Sequence, residues 1–240
     1  MARERFLAVP PLVQSDDVSC GPTCLASVLR YHGLADVSPD EVRTVTPRNP
    51  DGGTLAPYLG QAALRLGARA RCHPFATRVF DPTWRSLPPD EVAHRLTERT
   101  DALPPGRLRS VHEAWRDFLR EGGEVVLGEL RPSALARALD AGRPLICGLS
   151  ITWLYQEPRE RPDDNADDDV HGSPVGHFVV VNGYVDGGKS FLVTDPWPHP
   201  PFDRSDGTYR VSQRRLTQAI LLGDATHDAV ILEILTPESS

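Results

Sequence analysis

The sequence predicts an α+β fold, with helices gathered early and antiparallel strands late. Three observations carry this. Residues 20–31 set Leu25, Val28 and Leu29 three and four apart, the spacing of one helix face, and the run stops at Gly33. Residues 177–184 form a run rich in β-branched and aromatic side chains. A turn at Asp186, Gly187 and Gly188 then leads into a return run at 191–194, which together read as a hairpin.

The remaining elements follow in order. After an extended start containing Pro10 and Pro11 comes the buried first helix, 20–31. Pro39, Asp40 and Glu41 mark a short acidic helix start, and 54–66 reads as a second long helix capped by Thr54 and closed by Gly67. Residues 68–75 alternate small or apolar with polar side chains, as a strand does. Two charged helical patterns, 90–99 and 107–121, flank a break at Pro104, Pro105 and Gly106; the second carries the apolar stripe Val111, Trp115, Phe118 and Leu119. A short strand at 124–127, a helix at 133–141 and a buried strand at 144–151 come next. Residues 158–174, rich in proline and aspartate, read as a surface loop. Strands at 207–211 and 229–235 surround a helix near 212–222.

The chain has 240 residues, 40% hydrophobic and 25% charged, which fits a globular protein of one domain. The opening residues lack the apolar stretch of an export signal, and no run approaches a membrane span. The expectation is a cytoplasmic protein without membrane insertion. Four cysteines in that setting read as reduced thiols. A formal charge of -7 argues against a nucleic-acid partner, because such binding requires a basic surface.

A thiol attacks a carbonyl as its thiolate, which the unpaired N–H groups and dipole at a helix N-terminus stabilise, as does a neighbouring imidazole. Cys20 heads the first helix and is placed for both. Gly21 leaves room beside it for a substrate backbone, and Gly21-Pro22 suits a helix start. Taken singly, such a cysteine reads as core, since free cysteines are among the most buried residues. Cys24, one turn on, reads that way, and Cys72 and Cys147 fall within strands. A zinc site at Cys20 and Cys24 with His32 or His177 has an allowed spacing but no second cysteine pair. No metal and no cofactor are expected.

Of eight histidines, His177 opens the strongest strand, and Asp195 closes the return strand just ahead of Pro196. The open ends of paired antiparallel strands lie together, so Asp195 can reach the His177 ring. Nucleophile, base and orienting group are then complete. Gln14, in the extended lead-in, can donate its amide to an oxyanion beside the Cys20 backbone N–H.

The string from Val9 through Gln14 to Cys20, Gly21, Pro22, Thr23, Cys24 and Leu25, with Tyr31 and Gly33 after it, resembles the C39 peptidase family. That family is the bacteriocin-leader-processing branch of papain-like cysteine peptidases. Its later signature stands here as His177 to Val181 and Asp195-Pro196, so the likeness covers roughly 9–75 and 130–235. The resemblance implies a papain-like (C39-type) α+β fold, with an N-terminal helical part, a C-terminal antiparallel sheet and a helical insertion. The chain reads as one domain over 1–240 that departs from the family's minimal domain by insertions at about 76–123 and 155–175 and by the absence of a fused transporter, as a stand-alone member would. The resemblance also implies a triad of Cys20, His177 and Asp195 with Gln14 in the oxyanion hole.

The implied activity is cysteine-dependent acyl transfer through an S-acyl-Cys20 intermediate, with hydrolysis of a peptide or other amide as the first expectation. An amide synthase of natural-product biosynthesis, taking an acyl thioester from a carrier protein and giving it to an amine, is the alternative. A non-catalytic peptide-binding module is the third reading. The acidic loop 163–169 does not fit a calcium-binding hand, because Asp168 and Pro174 occupy the positions that need Gly and Glu. It reads as a solvated loop; ending shortly before His177, it could also draw a cationic substrate or an acceptor amine to the cleft.

Overall fold

The computed structural model describes residues 3–34, 36–49 and 53–235. Its strands are β1 (Arg5–Phe6), β2 (Arg69–Pro74), β3 (Glu124–Val125), β4 (Leu145–Ser150), β5 (Gly176–Val185), β6 (Ser190–Thr194), β7 (Thr208–Ser212) and β8 (Val230–Leu235). They form one sheet in the order β3-β2-β8-β4-β5-β6-β7, with β1 continuing alongside β5. Only the β2–β3 pair among these is parallel. The antiparallel α+β architecture read from the sequence is borne out.

Successive strand residues point to opposite faces, yet every residue of β4 and all but the ends of β5 are buried. Helices therefore cover both faces of the sheet centre. The cover comes from α1 (Cys20–Tyr31), α3 (Ala56–Arg65), α6 (Pro132–Asp140) and α8 (Gln213–Leu222).

The first helix has the predicted bounds and ends before Gly33, whose φ of +98° an L side chain rarely adopts. One apolar face was expected, but every residue from Cys20 to Leu29 is buried. The reason is that α1 is enclosed by α2 (Pro39–Val45), α3 and β5 together. A helix surrounded on all sides buries its small polar residues as well. Thr23 satisfies its hydroxyl internally, donating to the Ser19 carbonyl at 2.8 Å.

The start of α2 carries a reciprocal cap: the Glu41 amide donates to Ser38 Oγ at 3.2 Å, and the Ser38 amide to Glu41 Oε2 at 2.7 Å. Thr54 does not cap α3. The N-cap is Leu55, and the Thr54 methyl instead faces Gly21.

The charged helices α4 (Pro89–Ala102) and α5 (Arg107–Arg120) pack on each other, and α5 docks on α3. Phe118 makes that joint: a Cβ added at Gly60 would lie 2.4 Å from its ring, and one at Gly123 2.2 Å. Both glycines thus provide the hollow that receives the ring. Trp115 meets Phe80 edge-on at 5.1 Å and Phe118 at 6.1 Å. These residues share one contiguous core with the sheet.

The sequence reading misses the short strand β1 within the extended start, and it misses α7 (Ile151–Tyr155), which follows β4 without a break. The stretch from Leu145 to Tyr155 contains no proline and its one glycine lies inside the strand, so periodicity does not mark the switch. Ser150 makes it by capping, its Oγ accepting from the Trp153 amide at 3.4 Å. Among the described residues no helix is long and apolar enough to cross a membrane.

Candidate active site

Cys20 occupies the first turn of α1, which has no acidic residue and no side-chain cap. The N-cap, Ser19, is engaged elsewhere. Its Oγ accepts from the amides of Ser15 and Asp16, both at 3.2 Å, and donates to the Asp16 carbonyl at 3.1 Å. Ser19 therefore folds the lead-in loop and leaves the positive end of the helix to act on the thiol.

Gly21 has a different task from the one expected. Its Cβ position lies 2.7 Å from Thr54 Cγ2 and 3.1 Å from Leu59 Cδ1. It lets α1 approach α3 and gives no room to a substrate backbone.

His177, second residue of β5 and paired with Leu149 of β4, is 8% exposed. Asp195 follows the last residue of β6 and is 2% exposed. The β5–β6 register sets the two diagonally across the strand pair, and His177 Nε2 meets Asp195 Oδ1 at 2.9 Å. Cys20 lies within hydrogen-bonding reach of the same ring. With Nε2 taken by Asp195, Nδ1 is the nitrogen left for the thiol.

Burial alone would lower the basicity of His177, but the Asp195 charge, the Cys20 sulfur and the bonds to both overcome it and raise its pKa to about 10. Burial likewise pushes Asp195 up, yet its net direction is down, because His177, the Tyr209 hydroxyl and the Trp197 amide all favour the carboxylate. Both shifts describe an ion pair in a dry setting.

Three donors to Asp195 lie outside the sequence reading. Tyr155 and Tyr209 both donate to Oδ2, at 2.9 and 2.7 Å, and the Trp197 amide donates to Oδ1 at 2.9 Å. Tyr155 ends α7 and Tyr209 lies in β7 opposite Val193. No local pattern marks either; the β6–β7 pairing and the turn into α7 bring them together.

A second buried carboxyl, Asp228, was also not anticipated. Burial raises its pKa to about 7 against the opposing effects of the Thr226 hydroxyl, Arg107 and His177. Its Oδ2 would be only 2.0 Å from a Cβ at Gly176, so the position preceding His177 must be glycine.

Gln14 is buried and held at both ends. Its backbone amide donates to the Pro196 carbonyl at 3.0 Å, and Nε2 donates to the Asp16 carbonyl at 2.8 Å. Nε2 has a second hydrogen, and Oε1 is buried without a partner.

The other thiols are inert by environment: burial drives Cys24, Cys72 and Cys147 well above the ordinary thiol range. Among the described residues no group of three or more His, Cys, Asp or Glu gathers as a metal cluster. The acidic loop reaches the site's margin, where Asn165 Nδ2 donates to Asp17 Oδ2 at 3.4 Å. Burial raises the Glu160 pKa, and Asp167, Asp17 and Glu157 add to the shift, so these carboxylates share one locality.

A thiol on a helix start, facing an imidazole that a carboxylate orients from the adjoining sheet, is the arrangement of papain-like cysteine peptidases. The Peptidase_C39 like family matches residues 108–212, which bears out the likeness read from the motifs. That stretch holds His177 and Asp195 and begins within α5; Cys20 and Gln14 lie outside it. No curated protein matches the chain.

Among solved structures, a protein described as a C39-like peptidase from Bacillus anthracis is similar at a TM-score of 0.52 and 16% identity, over 99% of this chain and 100% of that one. This likeness establishes the fold as C39-like. The peptidase domain of Streptococcus ComA, a bifunctional ABC transporter, gives a TM-score of 0.46 at 16% identity, over 95% of this chain and 99% of that one. Xylellain, a cysteine protease from Xylella fastidiosa, gives 0.47 at 16% identity, over 98% and 86%.

Proposed function

We propose that the protein is a cysteine-dependent enzyme that hydrolyses a peptide or other amide through an S-acyl intermediate on Cys20. One observation carries the reading: His177 lies between the Cys20 thiol and the Asp195 carboxylate at the uncapped head of α1.

His177 takes the thiol proton, and Sγ attacks the substrate carbonyl. The Cys20 backbone N–H and the free hydrogen of Gln14 Nε2 receive the oxyanion. Collapse expels the amine, which takes its proton from His177 and leaves a thioester on Cys20. Water, deprotonated by His177, attacks that thioester and releases the carboxylic acid and the thiol.

The acidic margin favours a second reading, in which an amine replaces water and the products are an amide and the free thiol. Asp17, Glu157, Glu160 and Asp167 together would concentrate a cationic acceptor. In that case the acyl donor is a thioester, including one on a carrier protein.

Mass spectrometry of the protein with candidate peptides, acyl thioesters and amines tests both. The expected result is an acyl adduct that Cys20→Ala lacks, with the released product naming the acceptor. Equal binding by wild type and Cys20→Ala without any adduct would sink both in favour of a peptide-binding module.

A further inference from the structure

We propose that Tyr155 and Tyr209 are positioning residues that clamp Oδ2 of Asp195, so that Oδ1 alone is presented to His177. The inference rests on the triad reading above and adds to it two side chains from distant elements.

A carboxylate has about four lone-pair sites. Here four donors take them: the two tyrosine hydroxyls at Oδ2, and His177 Nε2 with the Trp197 amide at Oδ1. Rotation of the carboxylate would break both hydroxyl bonds at once. The clamp is also braced. Phe202 stacks on Tyr209 with centroids 4.4 Å apart and meets Tyr155 edge-on at 5.9 Å, while the Arg215 guanidinium lies 5.3 Å from the Phe202 centroid. Arg204 bonds the carbonyls of Asp195 and Trp197 and holds the intervening turn.

Packing alone would require the rings and not the hydroxyls. Both hydroxyls nevertheless converge on one oxygen. Burial and the Asp195 charge push both tyrosines far up, so they remain donors wherever the carboxylate is ionised. The other titratable or charged groups around the pair are Cys20, Arg204, Glu157 near Tyr155, and Asp228 near His177. None of these donates to Oδ2.

The test uses the full chain as Tyr155→Phe, Tyr209→Phe and the double variant, with His177→Ala as reference. The alkylation rate of Cys20 by iodoacetamide, located by peptide mass, is followed from acid to alkaline pH beside thermal melting. The expected result is that onset of reactivity moves to higher pH, with the rate near pH 6 falling roughly tenfold per hydroxyl. A lowered melting temperature with an unmoved pH profile overturns the clamp and leaves a packing role. If the double variant does not fold, each single variant carries the same comparison. If wild type and His177→Ala alkylate alike, the triad reading itself fails. A His177-dependent profile that the tyrosine variants leave unchanged overturns the clamp alone.

Discussion

The Gln14 amide and the Pro196 carbonyl are joined by a 3.0 Å hydrogen bond, which ties the lead-in to Cys20 to the turn after Asp195. The Asp16 carbonyl holds the Gln14 side chain from the other end. In the mechanism proposed above the Gln14 side-chain amide must be fixed before charge develops on the oxyanion, and these two bonds hold it.

Gln14→Ala is accordingly expected to lower kcat by about 10²–10³-fold with little change in KM. Iodoacetamide alkylation of Cys20 should stay close to wild type, since that reaction forms no oxyanion. A parallel loss of alkylation would show that Gln14 supports the loop instead.

The His177–Asp195 pair links stability to pH. His177 has a folded pKa raised to about 10 from an ordinary 6.5, so the native state binds its proton more tightly. Its stabilising contribution is fully present below about pH 6.5 and is lost as pH rises through about 10. In urea titrations the midpoint of wild type should fall toward that of His177→Asn across this window. An advantage that grows with pH would contradict the assignment.

Asp228 has the same sign for a different reason. Its pKa is raised from 3.8 to about 7 chiefly by burial, so its contribution is present below 3.8 and lost as pH rises through 7. Above that, the native state carries a buried carboxylate. Asp228→Asn should melt at a higher temperature than wild type at pH 8, with the gap closing by pH 5. Gly176→Ala should be strongly destabilising at both, since its Cβ would strike Asp228 and Thr226.

The joint between α5 and α3 depends on Phe118. Phe118→Ala should cost about 3–5 kcal/mol by emptying a filled hollow. Gly60→Ala should cost about 1–3 kcal/mol by overpacking the same contact. Both are read from urea unfolding, and a loss below 1 kcal/mol for Phe118→Ala would place the joint elsewhere.

The acidic margin yields a kinetic expectation for a cationic acceptor. Replacing Glu160 and Asp167 by their amides should raise its KM several-fold at low salt and leave kcat unchanged. The difference should fade at high ionic strength, as it does for exposed charges. An unchanged KM at low salt removes the second reading's main support.

Most elements were legible because each carries its own periodicity or punctuation. The helix from Cys20 closes at Gly33, and the β5–β6 hairpin turns at Gly187, both glycines with positive φ. The failures have a common cause. Thr54 has a capping side chain but is used to pack on Gly21, and Gly21 looks like substrate space but serves that same contact. In each case a tertiary neighbour took over a residue with two uses. The start of α7 is hidden because the run from β4 into α7 is largely apolar and no glycine or proline stands at the junction.

By itself the sequence determined where the thiol and the imidazole stand within their elements, because helix starts and strand ends are local and short-range in origin. Only the tertiary structure decided what surrounds them. Tyr155, Tyr209 and Asp228 reach the site from α7, β7 and the approach to β8. Strand order and helix packing bring those groups together across long separations, and the hydroxyl donors that help keep Asp195 ionised against its burial reach it only in the folded chain.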